Sequence, residues 1–285
     1  MRTHRLAVAA ALAFALAQPL DSQQLPQGSS APAEATIGYA DLADLALAAP
    51  IAAHVKVSRA SALSRREAPD VPPDKRRFLF TADVMTLIRG PGEMPVEVTW
   101  LADLPNDARG RPPRIARRAE YLLLAAPTPG RPGELRLVAP DSLLPYDPAT
   151  AEQLRAILRE ASAPDAPPRI TGIGRAFHVA GSLPGEGETQ IFLQTADDRP
   201  ISLNILRRPG EQPRWAVALS EIVDDAAAPP APRTLLWYRL ACTLPAQLPP
   251  QSLSEAQPDE VDAIRADYRV IIQGLGPCAR MRARR

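Results

Sequence analysis

The chain has 285 residues, 46% of them hydrophobic and 23% charged, with a formal net charge of +1. That length admits two domains and that composition a packed core. Near-neutrality argues against nucleic acid as a partner, because such affinity comes mainly from neutralising phosphates.

Arg2, His4 and Arg5 precede an apolar run from Leu6 to Leu16, and Ala15 and Ala17 suit a cleavage site. Residues 1–17 therefore read as a secretory signal peptide. The run is too short for a membrane span of roughly 20 residues, and no later stretch supplies a transmembrane segment. The mature protein is expected to be exported, periplasmic or extracellular. Residues 18–37 are polar and Pro-rich and read as a flexible leader. Loss of Arg2 and Arg5 takes the charge from +1 to about −1.

A short helix is expected over 41–49. Ile51, Ala53, Val55 and Val57 then alternate with His54 and Lys56, the period of a strand. A polar loop (64–75) leads to a long strand, 77–88, which Arg89-Gly90-Pro91-Gly92 ends. Val96, Val98 and Trp100 mark a third strand, and a basic loop spans 106–118. Strands follow over 121–125 and 134–138, before Asp147-Pro148 opens a helix with an N-cap and proline at its first position. Leu154, Ile157 and Leu158 form its apolar stripe. Five strands flanked by helices make a closed barrel over 38–161, since closure removes sheet edges.

Residues 162–168 read as a linker. Strands are expected over 170–180, 189–195, 201–206, 215–223 and 234–242, an antiparallel meander forming a β-sandwich or small barrel over 169–247. The fold class is thus mainly β. Residues 248–285 are expected to pack on this second domain as a helix and basic tail. Pro258 opens the helix, Val261, Ile264, Tyr268, Ile271 and Ile272 form its stripe, and Gly274 supplies the left-handed residue after it. In an exported chain the two cysteines, Cys242 and Cys278, read as one disulfide clamping this helix to the last strand. It is worth roughly 4 kcal/mol by the chain-entropy argument. Two unpaired buried thiols are the alternative.

The first domain resembles the netrin-like domain, the OB-type barrel of tissue inhibitors of metalloproteinases, over roughly residues 38 to 160. The likeness lies in the opening helix, the alternating strand around His54 to Val57 and the strand ending in Ile88-Arg89-Gly90-Pro91. It continues through Val96-Glu97-Val98, Glu120-Tyr121-Leu122-Leu123 and Leu144-Pro145-Tyr146-Asp147. Those inhibitors place an N-terminal cysteine on the target's zinc. This domain has no cysteine, so the resemblance does not imply inhibition by that route.

Catalytic inventory is sparse. After export only His54 and His178 remain, each on the solvent side of a strand by alternation. No His-Glu-x-x-His, cysteine-rich zinc spacing or Gly-x-Ser-x-Gly occurs, and no cofactor or metal is indicated. Asp83 and Glu97 are routine strand-surface carboxylates. Gly172, Gly174, Gly185 and Gly187 read as bulge and turn glycines. Trp100, Trp215 and Trp237 are expected in the core. The features closest to a site are two basic clusters. Arg109, Arg111, Arg114, Arg117 and Arg118 share one loop, where they could hold an anionic envelope component or an acidic patch of a protein. Arg280, Arg282, Arg284 and Arg285 form the tail. The expected function is non-enzymatic binding or envelope interaction. The alternatives are inhibition of an extracytoplasmic hydrolase without zinc chelation, and an unrecognised hydrolase.

Overall fold

The computed structural model describes residues 37–219 and 227–282. The expected signal peptide and nearly all of the leader lie outside the described residues, as do Arg284 and Arg285. Helix α1 (Tyr39–Ala48) leads into β1 (Ile51–Ala62), β2 (Lys75–Arg89), β3 (Glu97–Pro105), β4 (Glu120–Pro127), β5 (Glu134–Leu137) and β6 (Leu143–Pro145). The strand order is β1-β2-β3-β5-β4, and β1 pairs again with β4 to close a five-stranded barrel; β6 adds to β4. β3 and β5 run parallel and all other barrel pairs are antiparallel. The closed five-stranded barrel is consistent with an OB-like fold.

Alternation explains its interior. Ala53, Val55 and Val57 point inward with Phe80, Val98 and Trp100, and Phe80 stacks on Trp100 at 5.1 Å. β4 shows no alternation, because both of its faces are buried. Leu123 and Ala125 fill the barrel, while Leu122 and Leu124 join a second core outside it. A strand covered on both sides reads as a continuous apolar run. That second core is built by α1, by α2 (Pro148–Ser162) and by the remainder of the chain. Asp147 caps α2 as its spacing predicts, its carboxylate accepting from the Thr150 N–H at 2.7 Å.

Residues 163–169 connect α2 to β7 (Ile170–Ala180), which opens a separate antiparallel sheet with β8 (Gly187–Thr195), β9 (Ile201–Arg207) and β10 (Arg214–Ala218). Residues 220–226, where the last of these strands and the following loop were expected to continue, lie outside the described residues. The expected strand over 234–242 is instead a helix, α3 (Leu235–Ala241). Arg233 turns the chain at φ +62°, and the Thr234 hydroxyl accepts from the Trp237 N–H to start the helix. A short apolar run flanked by breakers has no period that separates strand from helix. Leu235, Trp237 and Leu240 are buried by it against α1, α2 and α4.

Helix α4 (Val261–Leu275) covers the inner face of the second sheet with Ile264, Tyr268 and Ile271. It starts at Val261, three residues later than expected. Gly274 lies within it, packed against the Trp215 indole, and Gly276 at φ +69° ends it. Cys242 and Cys278 are disulfide-bonded, tying the end of α3, rather than a strand, to the residues after α4. The tail then crosses α1. Arg280 pairs with Asp44 through Nε at 2.5 Å, and the N–H groups of Met281 and Arg282 donate to the Asp41 carboxylate. Arg282 pairs with Asp141. The described part of the basic tail is therefore a structural strap.

Candidate functional site

A concave surface of the barrel lies where β3 and β5 separate. The two strands pair only through Thr99 with Glu134 and Trp100 with Leu135. Beyond Trp100, β3 runs five more residues, to Pro105, with no strand pairing on that side among the described residues. The opening is a groove of about 800 Å³, walled by Leu101 and Asp103 on one side and by Leu137, Val138 and Pro140 on the other.

Its apolar surface has a simple origin. Leu79 and Leu101 face each other across β2 and β3, both outside the barrel because their neighbours Phe80, Trp100 and Ala102 fill its interior. They are 43% and 47% exposed, far more than leucines in a covered sheet. The rim is polar and fixed. Arg77 grips Asp103 with two bonds, 2.7 and 2.8 Å, and holds Asp70 with its remaining arm. Those bonds keep the Asp103 carboxyl below its ordinary range, with Arg77 as the main cause. Arg136 stands exposed on β5. An unpaired strand edge offers backbone donors and acceptors, so this groove can receive an extended chain.

The basic loop leaves from the end of β3. Arg109, Arg111, Arg114, Arg117 and Arg118 are all exposed, while Ile115 between them packs toward the barrel core. Arg111 is tied to Asp107 at 2.8 Å, and the Arg109 N–H donates to the same carboxylate. Arg114, Arg117 and Arg118 form no ion pair among the described residues.

Both histidines depart from expectation. His54 is partly buried, with its ring 3.8 Å from that of Tyr146 and its Nε2 3.0 Å from Glu120, which also pairs with Lys56. Lys56 first and His54 second hold the Glu120 carboxyl below its usual range. Alternation places His54 outside the barrel correctly, but the chain after β6 covers it. For His178 the facing is reversed. A register shift between Ile173 and Ala176 flips the alternation of β7, so His178 turns toward α4 while Phe177 and Val179 are exposed. Its Nδ1 lies 2.8 Å from the Thr189 hydroxyl, which donates to Asp267 on α4; Asp267 also takes the Arg207 Nε–H at 2.5 Å. Thr189 and Asp267 are fully buried, so this chain of bonds anchors a helix and offers no access to substrate.

Asp83 and Glu97 sit opposite each other, both exposed and outside any concave surface described above. Trp100 and Trp237 are buried as expected, and Trp215 is half-buried against α4. No group of three or more histidine, cysteine or acidic residues among the described residues is arranged to hold a metal, and no helix there is long and apolar enough to cross a membrane. No protein-family model matches the chain, and the search of curated proteins returns no match.

Proposed function

We propose that the protein is an exported, non-enzymatic binding module whose OB-like barrel holds an extended segment of another envelope protein. The observation that carries this reading is the unpaired edge of β3 beside the exposed Leu79–Leu101 pair. An added strand would satisfy that edge with main-chain bonds and seat alternate side chains on the two leucines, the mode in which extended peptides complete a sheet. OB-type barrels commonly bind across one face and its loops, and the netrin-like resemblance of residues 38 to 160 belongs to the same architecture. The signal-like N-terminus and the Cys242–Cys278 bond support an oxidising location outside the cytoplasm.

Selection of random 12-residue peptides on the disulfide-intact protein tests it. Enriched peptides should carry apolar residues at alternate positions, and Leu101→Glu should weaken them at least tenfold. Peptides that bind the Leu101→Glu protein equally well would refute the reading.

A further inference from the structure

We infer that the segment held by the barrel groove continues into an acidic run, and that the loop over 106–118 binds that run. The inference rests on the reading of the groove as a strand-binding edge. β3 runs parallel to β5, and β5 antiparallel to β4, so β3 ends and β4 begins at the same end of the barrel. β3 is unpaired on its groove side toward that end, and residues 106–119 cross it on their way from Pro105 to Glu120. Ile115 packs toward the barrel core, and Ala119 accepts the Val57 N–H at 2.9 Å, which holds the loop against the barrel. A chain lying along the free edge of β3 in the direction of Pro105 therefore meets this loop next. At roughly 3.3 Å per extended residue, the four steps from Leu101 to Pro105 put the start of the loop about 13 Å beyond the side chain seated on Leu101.

Charge decides what the loop receives. Its five arginines and single acid, Asp107, leave it with four net positive charges. Asp107 is engaged within the loop: its carboxylate takes the N–H groups of Arg109 and Arg111, both at 2.9 Å, and pairs with the Arg111 guanidinium. Those bonds fix the turn and leave Arg114, Arg117 and Arg118 exposed, with no ion pair among the described residues. On the groove rim both oxygens of Asp103 are held by Arg77, so its charge is already balanced. A guanidinium grips a carboxylate with two parallel bonds, and consecutive Asp or Glu residues on an extended chain bring several carboxylates to the loop together. A lipid surface is the poorer match. Surface binding to a membrane inserts apolar side chains beside the basic ones, and Ile115, the only large apolar residue of 106–118, is turned toward the barrel core.

Labelled peptides that share the half Ser-Val-Thr-Val-Thr-Leu and continue in six aspartates, asparagines or lysines test it. Each is made with the variable half at either end, because a free strand edge pairs in both directions. Fluorescence anisotropy with the disulfide-intact protein at low salt reads the binding. In the better direction the aspartate peptide should bind at least tenfold more tightly than the asparagine one, and the lysine peptide most weakly. Salt at roughly 0.5 M should cut that advantage below threefold, because exposed charges are screened. The variant Arg114→Gln/Arg117→Gln/Arg118→Gln changes exposed side chains only. It should bring the aspartate and asparagine peptides within twofold of each other and bind the asparagine peptide as wild type does. Leu101→Glu should weaken all three peptides. Equal binding of the aspartate and asparagine peptides, or a preference that the triple change leaves intact, would overturn the inference while the strand-binding groove stands. Binding of no peptide would overturn both. Binding to phosphatidylglycerol vesicles that the triple change removes, with no preference among the peptides, would give the loop to a lipid surface and overturn the inference as well.

Discussion

Replacing Asp267 with alanine should destabilise the protein more than any single change on its surface. Asp267 is completely buried on α4 and accepts hydrogen bonds from both Arg207 and Thr189. Its removal leaves the Arg207 charge without its partner and takes from the buried Thr189 hydroxyl the carboxylate it donates to. Breaking a buried pair from one side costs roughly 3–5 kcal/mol. Arg207 retains some exposure to water, which sets the estimate toward the lower end, about 3 kcal/mol. For a folded unit spanning residues 37–285, that shifts Tm by about 6–12 °C. Urea unfolding followed by circular dichroism, with the disulfide intact, should show a lower midpoint at an unchanged slope. The companion variant Arg207→Met/Asp267→Leu removes both charges and should recover part of the loss, since an apolar pair can replace a buried ion pair at little cost. The reasoning fails if Asp267→Ala costs less than about 1 kcal/mol, or if the double variant is no more stable than Asp267→Ala.

Two glycines at the C-terminal end of α4 should respond to alanine for different reasons. Gly276, at φ +69° and ψ −177°, occupies a region closed to other residues, so Gly276→Ala should cost about 1–3 kcal/mol through backbone strain, although space for the methyl is open. Gly274 has ordinary helical geometry, but a Cβ there would stand 2.6 Å from the Trp215 indole nitrogen; Gly274→Ala should alter Trp215 fluorescence, and Gly276→Ala should not. At the groove rim, Arg77 lowers the Asp103 carboxyl below its ordinary 3.8. A lowered folded value contributes stability that is present above about pH 4 and lost as pH falls through it. Thermal unfolding at a series of pH values should therefore show Asp103→Asn less stable than wild type at neutral pH. The gap should close as pH falls through the lowered folded value and the carboxyl protonates in both states; a gap that persists in strong acid would exclude the ion pair as its cause.

Much of the architecture is legible along the chain because its signals are local. The Asp147-Pro148 start of α2 and the alternation of β1 each depend on a few neighbouring residues, and the structure contains both. The pairing of Cys242 with Cys278 needs only the count of cysteines and an oxidising setting. Signals that depend on context mislead. α3 looks like a strand because its apolar run is short, and the Thr234 cap competes with the β-propensity of Trp237 and Tyr238. His178 faces inward because the register shift in β7 changes which parity is buried, a change that Gly172 and Gly174 hint at without locating. The barrel groove was illegible for a further reason. The groove exists because β3 outruns its pairing with β5, a long-range fact with no sequence period. The exposed Leu79 and Leu101 were the nearest clue, since their neighbours in the alternating pattern are the aromatic residues that fill the barrel.

β4 is the wall between the barrel interior and the helical core, and its position along the barrel is therefore locked from both sides. A slip of one residue would move Leu122 and Leu124 into the barrel and expel Leu123 and Ala125 from it, disturbing two cores at once. A strand with one wet face resists such a slip from one side only. Because β5 hangs on β4 through Ala125, Ala126 and Pro127, the width of the groove between β3 and β5 is set by packing that lies beyond the barrel altogether. Enlarging a side chain on α1 or α2 against Leu122 or Leu124 would thus retune the groove without touching it.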